Sequence, residues 1–301
     1  MKVFVTGATG FIGSSIVDEL LRRSHVVVGF ARSETSADNL RAKGAQIHRG
    51  SIDDPASVLA ALASVDGAIH TAFNHDFSTY MQNCADDGAL LDAMAETLGG
   101  TGKPLIATSS TAVVPPGQIA TEDQAASPAI PRGASERFLR FSETGVRTGV
   151  IRLPPSVHGK GDTAFVPAAI AAARRTGVST YVGDGANRWP AVHRNDAARL
   201  FCDALERGEP DQRFNAVQDE GVAFRAIAEA IGRGLEAPVR SIPVDEAENQ
   251  FGWLGRFVMA DVLASSRLTR ERLGWKPVEN DLLADLELSS YFDPSVKALS
   301  T

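Results

Sequence analysis

The chain opens MKVFVTGATGFIG, residues 1–13, an apolar run of strand length that breaks into glycines at Gly7, Gly10 and Gly13. Residues 2–6 have the composition of a buried strand. Residues 11–23 carry Ile12, Ile16, Val17, Leu20 and Leu21 at helical spacing, so the glycines fall on a strand-to-helix turn. Gly7 permits a sharp turn, Gly10 lets the backbone approach a pyrophosphate where a Cβ would intrude, and Gly13 lets the helix pack close to the strand. Amides of the helix N-terminus, backed by the helix dipole, then face a diphosphate. The spacing, G-x-x-G-x-x-G, is shifted by one residue from the general G-x-G-x-x-G fingerprint. A dinucleotide site follows, with a tight turn in some other α/β protein as the alternative.

Outward from this stretch, the first half alternates short apolar runs with helical patterns. Residues 26–30, 46–48, 65–72, 104–109 and 146–153 are the further strand candidates. Such alternation predicts a parallel sheet with helices on both faces and right-handed crossovers. Asp54 and Pro55 read as N-cap and first residue of a helix over 56–63, and Gly99-Gly100 ends a long helix begun near Tyr80. Pro154 and Pro155 close the sixth strand, and the pattern then changes. A helix over 165–175, a loop over 183–190 rich in Gly, Asn and Trp, a helix over 196–207 and a strand over 213–217 follow, with helices near 224–231 and 268–273. The expected class is α/β: a Rossmann doubly wound parallel sheet over 1–155, to which 187–217 return, and a smaller C-terminal α/β substrate lobe from 156–186 and 218–301. Ligands of open α/β sheets sit at the C-terminal edge of the strands, where this lobe would lie.

A chain of 301 residues buries one substantial core plus a smaller lobe. Its net charge is −7, and no Lys/Arg run exceeds the pairs Arg22-Arg23 and Arg174-Arg175, which argues against nucleic acid and anionic membranes as partners. Strand residues begin at position 2, leaving no room for a signal peptide, and no segment approaches the roughly 20 apolar residues of a membrane span. A cytoplasmic protein acting on a small molecule is expected. Cys84 and Cys202 lie far apart in helix-like segments and belong to no metal-spaced set, so both read as reduced packing residues and no metal site is expected.

TGATGFIG at 6–13, Arg152-Leu153-Pro154-Pro155 followed by Val157-His158-Gly159, and the segment from Val182-Gly183-Asp184-Gly185 to Val192-His193-Arg194-Asn195-Asp196-Ala197-Ala198 together resemble the extended short-chain dehydrogenase/reductase superfamily. Within it they look most like the NAD(P)-dependent epimerase/dehydratase branch, over residues 1 to about 290. The resemblance implies an activating Ser or Thr at the end of the fifth strand, and residues 107–113 (ATSSTAV) match that place. Ser110 aligns best, with Ser109 beside it and Thr111 next on the substrate side. A hydroxyl there would donate to a substrate carbonyl or alkoxide; the alternative is that it satisfies strand-end backbone groups. A Tyr-x-x-x-Lys pair on the next helix is also implied, and this chain lacks it. Tyr80, Tyr181 and Tyr291 have no lysine four residues on, and the best alignment puts Arg132 at the Tyr place and Glu136 at the Lys place. A guanidinium with a pKa above about 12 cannot shuttle protons near neutrality.

Replacements come from elsewhere in the chain. His70, Asn74, His75, Asp76 and Tyr80 cluster after the fourth strand, in a loop that the implied fold hangs over the nicotinamide; His158 follows the sixth strand; Trp189 and His193 lie on the connection returning toward the site. Tyr80 and His193 are the proton-donor candidates beside Ser110 and Ser109, and His75, Thr111, His158 and Trp189 are the substrate candidates. In the plainer reading, His193 braces the turn before a helix capped by Asn195 or Asp196, Tyr80 packs its helix, and Arg152 is a strand-end residue tied to backbone or carboxylate. Asn83 is nearest the helix Asn of the superfamily, and Asp86, Asp87 and Asp92 read as a solvated helical face.

The second strand ends Gly29-Phe30-Ala31-Arg32-Ser33, without the acid that accepts from the ribose hydroxyls of NAD. Arg32 instead suits a 2′-phosphate, with Ser33 adding a donor, so the expected cofactor is NADP(H); Glu34, immediately after, blurs the preference. By resemblance, Thr9, Phe11 and Ile12 join the glycines at the diphosphate, Ile52 and Asp53 contact adenine, Thr71, Ala72 and Phe73 line the nicotinamide ribose, and Pro154, Pro155 and Ser156 flank the carboxamide. The superfamily often dimerises, and a homodimer is the corresponding expectation. The leading expectation is an NADP-dependent oxidoreductase of a small carbonyl or alcohol. A sugar epimerase or dehydratase with retained cofactor and a non-catalytic NADP(H)-binding sensor are the alternatives.

Overall fold

The computed structural model describes residues 1–115 and 117–293. Strand β1 (Lys2–Thr6) is buried from Val3 to Thr6, an apolar run with no wet side, and this suits a central strand covered on both faces. With it run β2 (Val26–Ala31), β3 (Gln46–Arg49), β4 (Gly67–His70) and β5 (Pro104–Ser110). After β6 (Ile119–Ala120), which lies outside this sheet, β7 (Arg147–Leu153) joins it, and a last strand comes from 212–215. All pairings in the sheet are parallel.

Helices α1 (Phe11–Arg22) and α2 (Glu34–Lys43) cover one face; α3 (Pro55–Leu62), α4 (Tyr80–Thr97) and the 3-10 segment Pro131–Thr144 cover the other. The chain then builds the lobe with β8 (Ser156–His158), α5 (Phe165–Thr176), β9 (Ser179–Val182) and β10 (Arg188–His193). It returns to the first face as α6 (Arg194–Arg207) and to the sheet edge as β11 (Gln212–Asn215). The seven-stranded order is β11-β7-β5-β4-β1-β2-β3. The lobe is completed by β12 (Asp219–Ala223), α7 (Phe224–Leu235), β13 (Val239–Ile242), α8 (Ala247–Phe251), β14 (Leu263–Ala264), α9 (Arg267–Leu273) and α10 (Leu282–Leu286). Small sheets β12-β10-β8, β13-β9 and β14-β6 hold it, around a separate core centred on Trp189, Phe224 and Phe251.

The α/β class and doubly wound sheet expected from the sequence are present. Some boundaries differ. The fourth strand is only Gly67–His70, because the backbone beyond it leaves the ladder to reach the glycine turn. The segment expected to loop over 183–190 becomes strand at Arg188, where pairing with Ala223 captures it. Among the described residues no helix is long and apolar enough to cross a membrane.

Candidate functional site

The glycine turn has the geometry its sequence demands. Gly7 lies at φ 66°, and a Cβ there would sit 2.6 Å from Thr71 Oγ1 and 2.7 Å from the Ala72 nitrogen. At Gly13 a Cβ would fall 2.0 Å from the Gly7 carbonyl oxygen, so only glycine lets α1 approach β1 this closely. At Gly10 only the Gly7 oxygen lies within 4 Å, at 3.1 Å, and the remaining side is open. α1 starts directly after Gly10 with no side-chain cap and no acid in its first turn, so its leading amides keep an unmet demand for an acceptor. This cradle fits a dinucleotide diphosphate.

Beside it a cleft of about 260 Å³ is lined by Arg32, Ile52, Asp53, Phe73, Asn74 and His75, and a groove of about 350 Å³ on the other side includes Thr9. The structure thus gathers Arg32, Ile52, Asp53, Phe73 and His75, chosen from four separate stretches of sequence. Arg32 is exposed at the end of β2. Behind it Arg49, missed in the sequence, donates to the carbonyls of Ser33 and Arg32, the latter at 3.3 Å, and adds a second cation. Glu34 turns to Arg41 at 2.7 Å, whose guanidinium holds the carboxyl below its ordinary value, so the acid that blurred the cofactor preference is already paired. Ser33 is corrected: its hydroxyl caps α2 by accepting from Ser36 N at 3.1 Å and donates to Ser36 Oγ at 3.0 Å, so its proton is spent locally. Asp53 accepts from Ser51 Oγ at 2.9 Å. Asp54 occupies the N-cap of α3 before Pro55, but its side chain makes no capping bond.

At the C-terminal edge of β5, neighbouring residues point to opposite faces. Ser110 is half-buried, and its Oγ accepts from Ala112 N at 3.1 Å, which leaves its hydrogen for donation. Ser109 and Thr111 are buried with hydroxyls unpartnered among the described residues, so their expected approach to a ligand is not open from solvent in this conformation. Arg132 and Glu136 are both spent on ion pairs. Arg132 donates to Asp87 Oδ2 at 2.6 Å and to Thr108 O at 2.9 Å, and its guanidinium lies 4.2 Å from the Phe73 ring centroid. Asp87 is also bonded to His70 Nε2 at 3.1 Å, and His70 Nδ1 meets Thr6 Oγ1 at 2.8 Å. The two partners hold the buried Asp87 carboxyl below its usual range against a strong opposing effect of burial. Asp87 therefore corrects the solvated-face expectation, while Asp92 pairs with Arg140 at 2.9 Å and Asp86 stays exposed. Glu136 takes Arg152 at 2.7 Å and Arg213 at 3.1 Å.

The loop after β4 packs on this network. The Phe73 ring meets those of His75 and Tyr80 edge-on at 5.3 and 6.4 Å, and Asn83 anchors the loop by donating to Asp76 O at 2.8 Å. Burial, aided by the Arg132 charge, pushes the His75 imidazole down; burial raises the Tyr80 phenol to about 12.

The lobe histidines and Trp189 lie elsewhere. Trp189 is 1% exposed, packed against Phe165 and Phe224 with Nε1 donating to Phe257 O at 3.2 Å, so it is core and not a substrate wall. His158 is fully buried and bonded to Asp285 Oδ2 at 2.8 Å, again behind the surface a substrate reaches. His193 Nδ1 accepts from Asn195 N at 3.2 Å and its ring packs on His158, which is the bracing role and replaces the expected catalytic one. Pro154 and Ser156 are buried at the end of β7 and Pro155 is half-buried.

Residues 3–216 match the NAD dependent epimerase/dehydratase family. The chain is 48% identical to an uncharacterized protein of Schizosaccharomyces pombe, over 97% of this chain and 100% of that one. It is 29% identical to a 2-alkyl-3-oxoalkanoate reductase of Stenotrophomonas maltophilia, over 80% of this chain and 73% of that one. Its fold matches DesIV, a dTDP-glucose 4,6-dehydratase from Streptomyces venezuelae with NAD and TYD bound, with TM-score 0.78 and 18% identity over 97% of both chains. The glycine cradle, the parallel sheet and these matches agree, and the chain belongs to the NAD dependent epimerase/dehydratase family.

Proposed function

We propose that this protein is an NADP(H)-dependent oxidoreductase of a small carbonyl or alcohol, using Ser110 as hydrogen-bond donor to the reacting oxygen and a proton source other than Tyr-x-x-x-Lys. The observation that carries the cofactor preference is Arg32 at the cleft wall, with Arg49 behind it and Glu34 drawn off by Arg41. A guanidinium suits a 2′-phosphate, whereas the ribose diol of NAD calls for an acceptor that this position lacks.

The α1 amides and glycine cradle would hold the diphosphate, Asp53 the adenine amine, and Thr71, Ala72 and Phe73 with Pro154 to Ser156 the nicotinamide end. Bound NADPH would supply hydride to a carbonyl carbon at this edge. Ser110 donates to the oxygen as charge grows there, and the lobe covers the site and excludes water. Tyr80 and His75 are the proton-bearing groups of the adjacent loop: with its phenol raised to about 12, Tyr80 keeps its proton across neutral pH. The Stenotrophomonas maltophilia relative, named as a reductase of oxoalkanoates, supports a carbonyl substrate. The burial of Arg132 and Glu136 in ion pairs favours a second reading, a non-catalytic NADP(H) sensor.

Titration by nucleotide fluorescence tests the cofactor assignment. NADPH is expected to bind at least about tenfold more tightly than NADH, and Arg32→Ala to remove most of that difference. Equal affinities in the unaltered protein, or equal weakening of both nucleotides by Arg32→Ala, would contradict it.

A further inference from the structure

α1 and α6 lie side by side and point the same way. Ser15 Oγ donates to Asn195 Oδ1 at 3.3 Å near their N-terminal ends, and Arg23 reaches Asp203 and Glu206 at 2.8 and 2.9 Å near their C-terminal ends. Both helix N-termini therefore open at the same edge of the sheet, and their partial positive charges reinforce one another. The one acid in the first turn of α6, Asp196, is fully buried and occupied by Arg199 and the backbone amides of Val278 and Glu279.

Onto this electropositive edge the fold adds a cation. Arg194, the first residue of α6, lays its guanidinium 5.0 Å from the ring centroid of Phe11, the first residue of α1. The loop below is shaped to admit it: Gly159 and Gly161 have φ of 129° and 90°, and a Cβ at Gly159 would come within 3.2 Å of Arg194 Cγ. Its Nη1 donates to Lys160 O at 2.9 Å, and among the described residues no carboxylate forms an ion pair with it. Asp18, whose field reaches it, is held by Lys43 at 2.6 Å. Burial lowers the Arg194 pKa, so the charged side chain sits here at a cost. A half-buried, unneutralised cation beside two positive helix ends is a poor arrangement for an empty site and a good one for a site that takes an anion.

We propose that Arg194 is a diphosphate-binding residue, a cation carried on α6 that closes over the dinucleotide phosphates seated at the N-terminus of α1. The proposal rests on the dinucleotide reading and is independent of the choice between NADP(H) and NAD(H), since both carry the diphosphate. It also gives the lobe a direct link to cofactor occupancy, because α6 follows β10 without a break.

The test is equilibrium binding, without substrate, of NADPH, NADH and adenosine 2′-monophosphate to the unaltered protein and to Arg194→Gln and Arg194→Lys. Arg194→Gln should weaken both dinucleotides by the same factor, about tenfold or more, and leave the 2′-monophosphate unchanged; Arg194→Lys should retain part of the affinity. Retained 2′-monophosphate binding and an unchanged melting temperature of the nucleotide-free variant show that the fold is intact; if Arg194→Gln does not fold, the dinucleotide-to-monophosphate ratio in Arg194→Lys decides. Unchanged dinucleotide affinity overturns the proposal, as does equal weakening of the 2′-monophosphate, which would assign Arg194 to the 2′-phosphate. Equal binding of NADPH and NADH by the unaltered protein would count against the NADP(H) reading alone.

Discussion

The serines at the end of β5 show how a difference of one residue decides a role. Ser109 buries a hydroxyl without a partner, and Ser110 exposes one whose lone pair is engaged and whose hydrogen is available. An unsatisfied buried hydroxyl is a burden on the fold, so Ser109→Ala should leave the melting temperature unchanged or raise it, with nucleotide affinity intact. A marked loss of affinity would show that the Ser109 hydroxyl turns outward when cofactor binds. The legible residues were those whose job follows from backbone geometry or local sequence: the three glycines, Arg32 and Asp53. Ser33 and Trp189 were misread because their real partners, a hydroxyl one turn away and an aromatic cluster from distant segments, depend on packing that spacing does not encode.

Among elements, the 3-10 segment Pro131–Thr144 departs furthest from what the resemblance implies. Where a tyrosine and lysine are due, it presents Arg132 and Glu136 to buried partners on α4, β7 and β11. Removing one side of such a pair strands the other charge in the interior. Glu136→Gln should therefore destabilise the protein by about 3–5 kcal/mol, read as a lower urea midpoint, because Arg152 is 0% exposed and cannot turn to water. A loss below about 1 kcal/mol would mean that Thr121 O and Gln124 O suffice for Arg152. The substitution at these two positions was plain from the sequence. The pairing was not, since Asp87 and Arg152 come from remote elements and Asp87 looked like part of a wet helix face. The short lobe strands β8, β9, β12, β13 and β14 were equally hidden: two to five residues of mixed polarity carry too little period to register.

Across the whole molecule, the lobe is fastened by buried polar contacts that make its stability depend on pH. Asp162 is 3% exposed, accepts from Ala164 N at 2.7 Å, lies 3.3 Å from Tyr291 Oη, and is pushed up to about 7 by burial. The native state holds this proton more tightly than the unfolded chain, so the group's contribution is full below about pH 4 and is lost as pH rises toward about 7. His75 and His193, lowered by burial, act in the opposite sense, with stability falling as pH drops below about 6.5. Asp162→Asn isolates the first effect: its melting temperature relative to the unaltered protein should rise steadily between about pH 5 and about pH 8. A difference independent of pH would show that Asp162 is ionised throughout.

The parallel sheet, the glycine cradle and the cation at the tip of β2 together argue that hydride chemistry with NADP(H) takes place at the edge of β5. The most direct test follows NADPH absorbance with a panel of aldehydes and ketones, for the unaltered protein and Ser110→Ala. The account predicts consumption of NADPH with at least one small carbonyl, depressed about ten- to a thousandfold by Ser110→Ala. Tight binding of NADPH without turnover across the panel, or turnover untouched by Ser110→Ala, would contradict it.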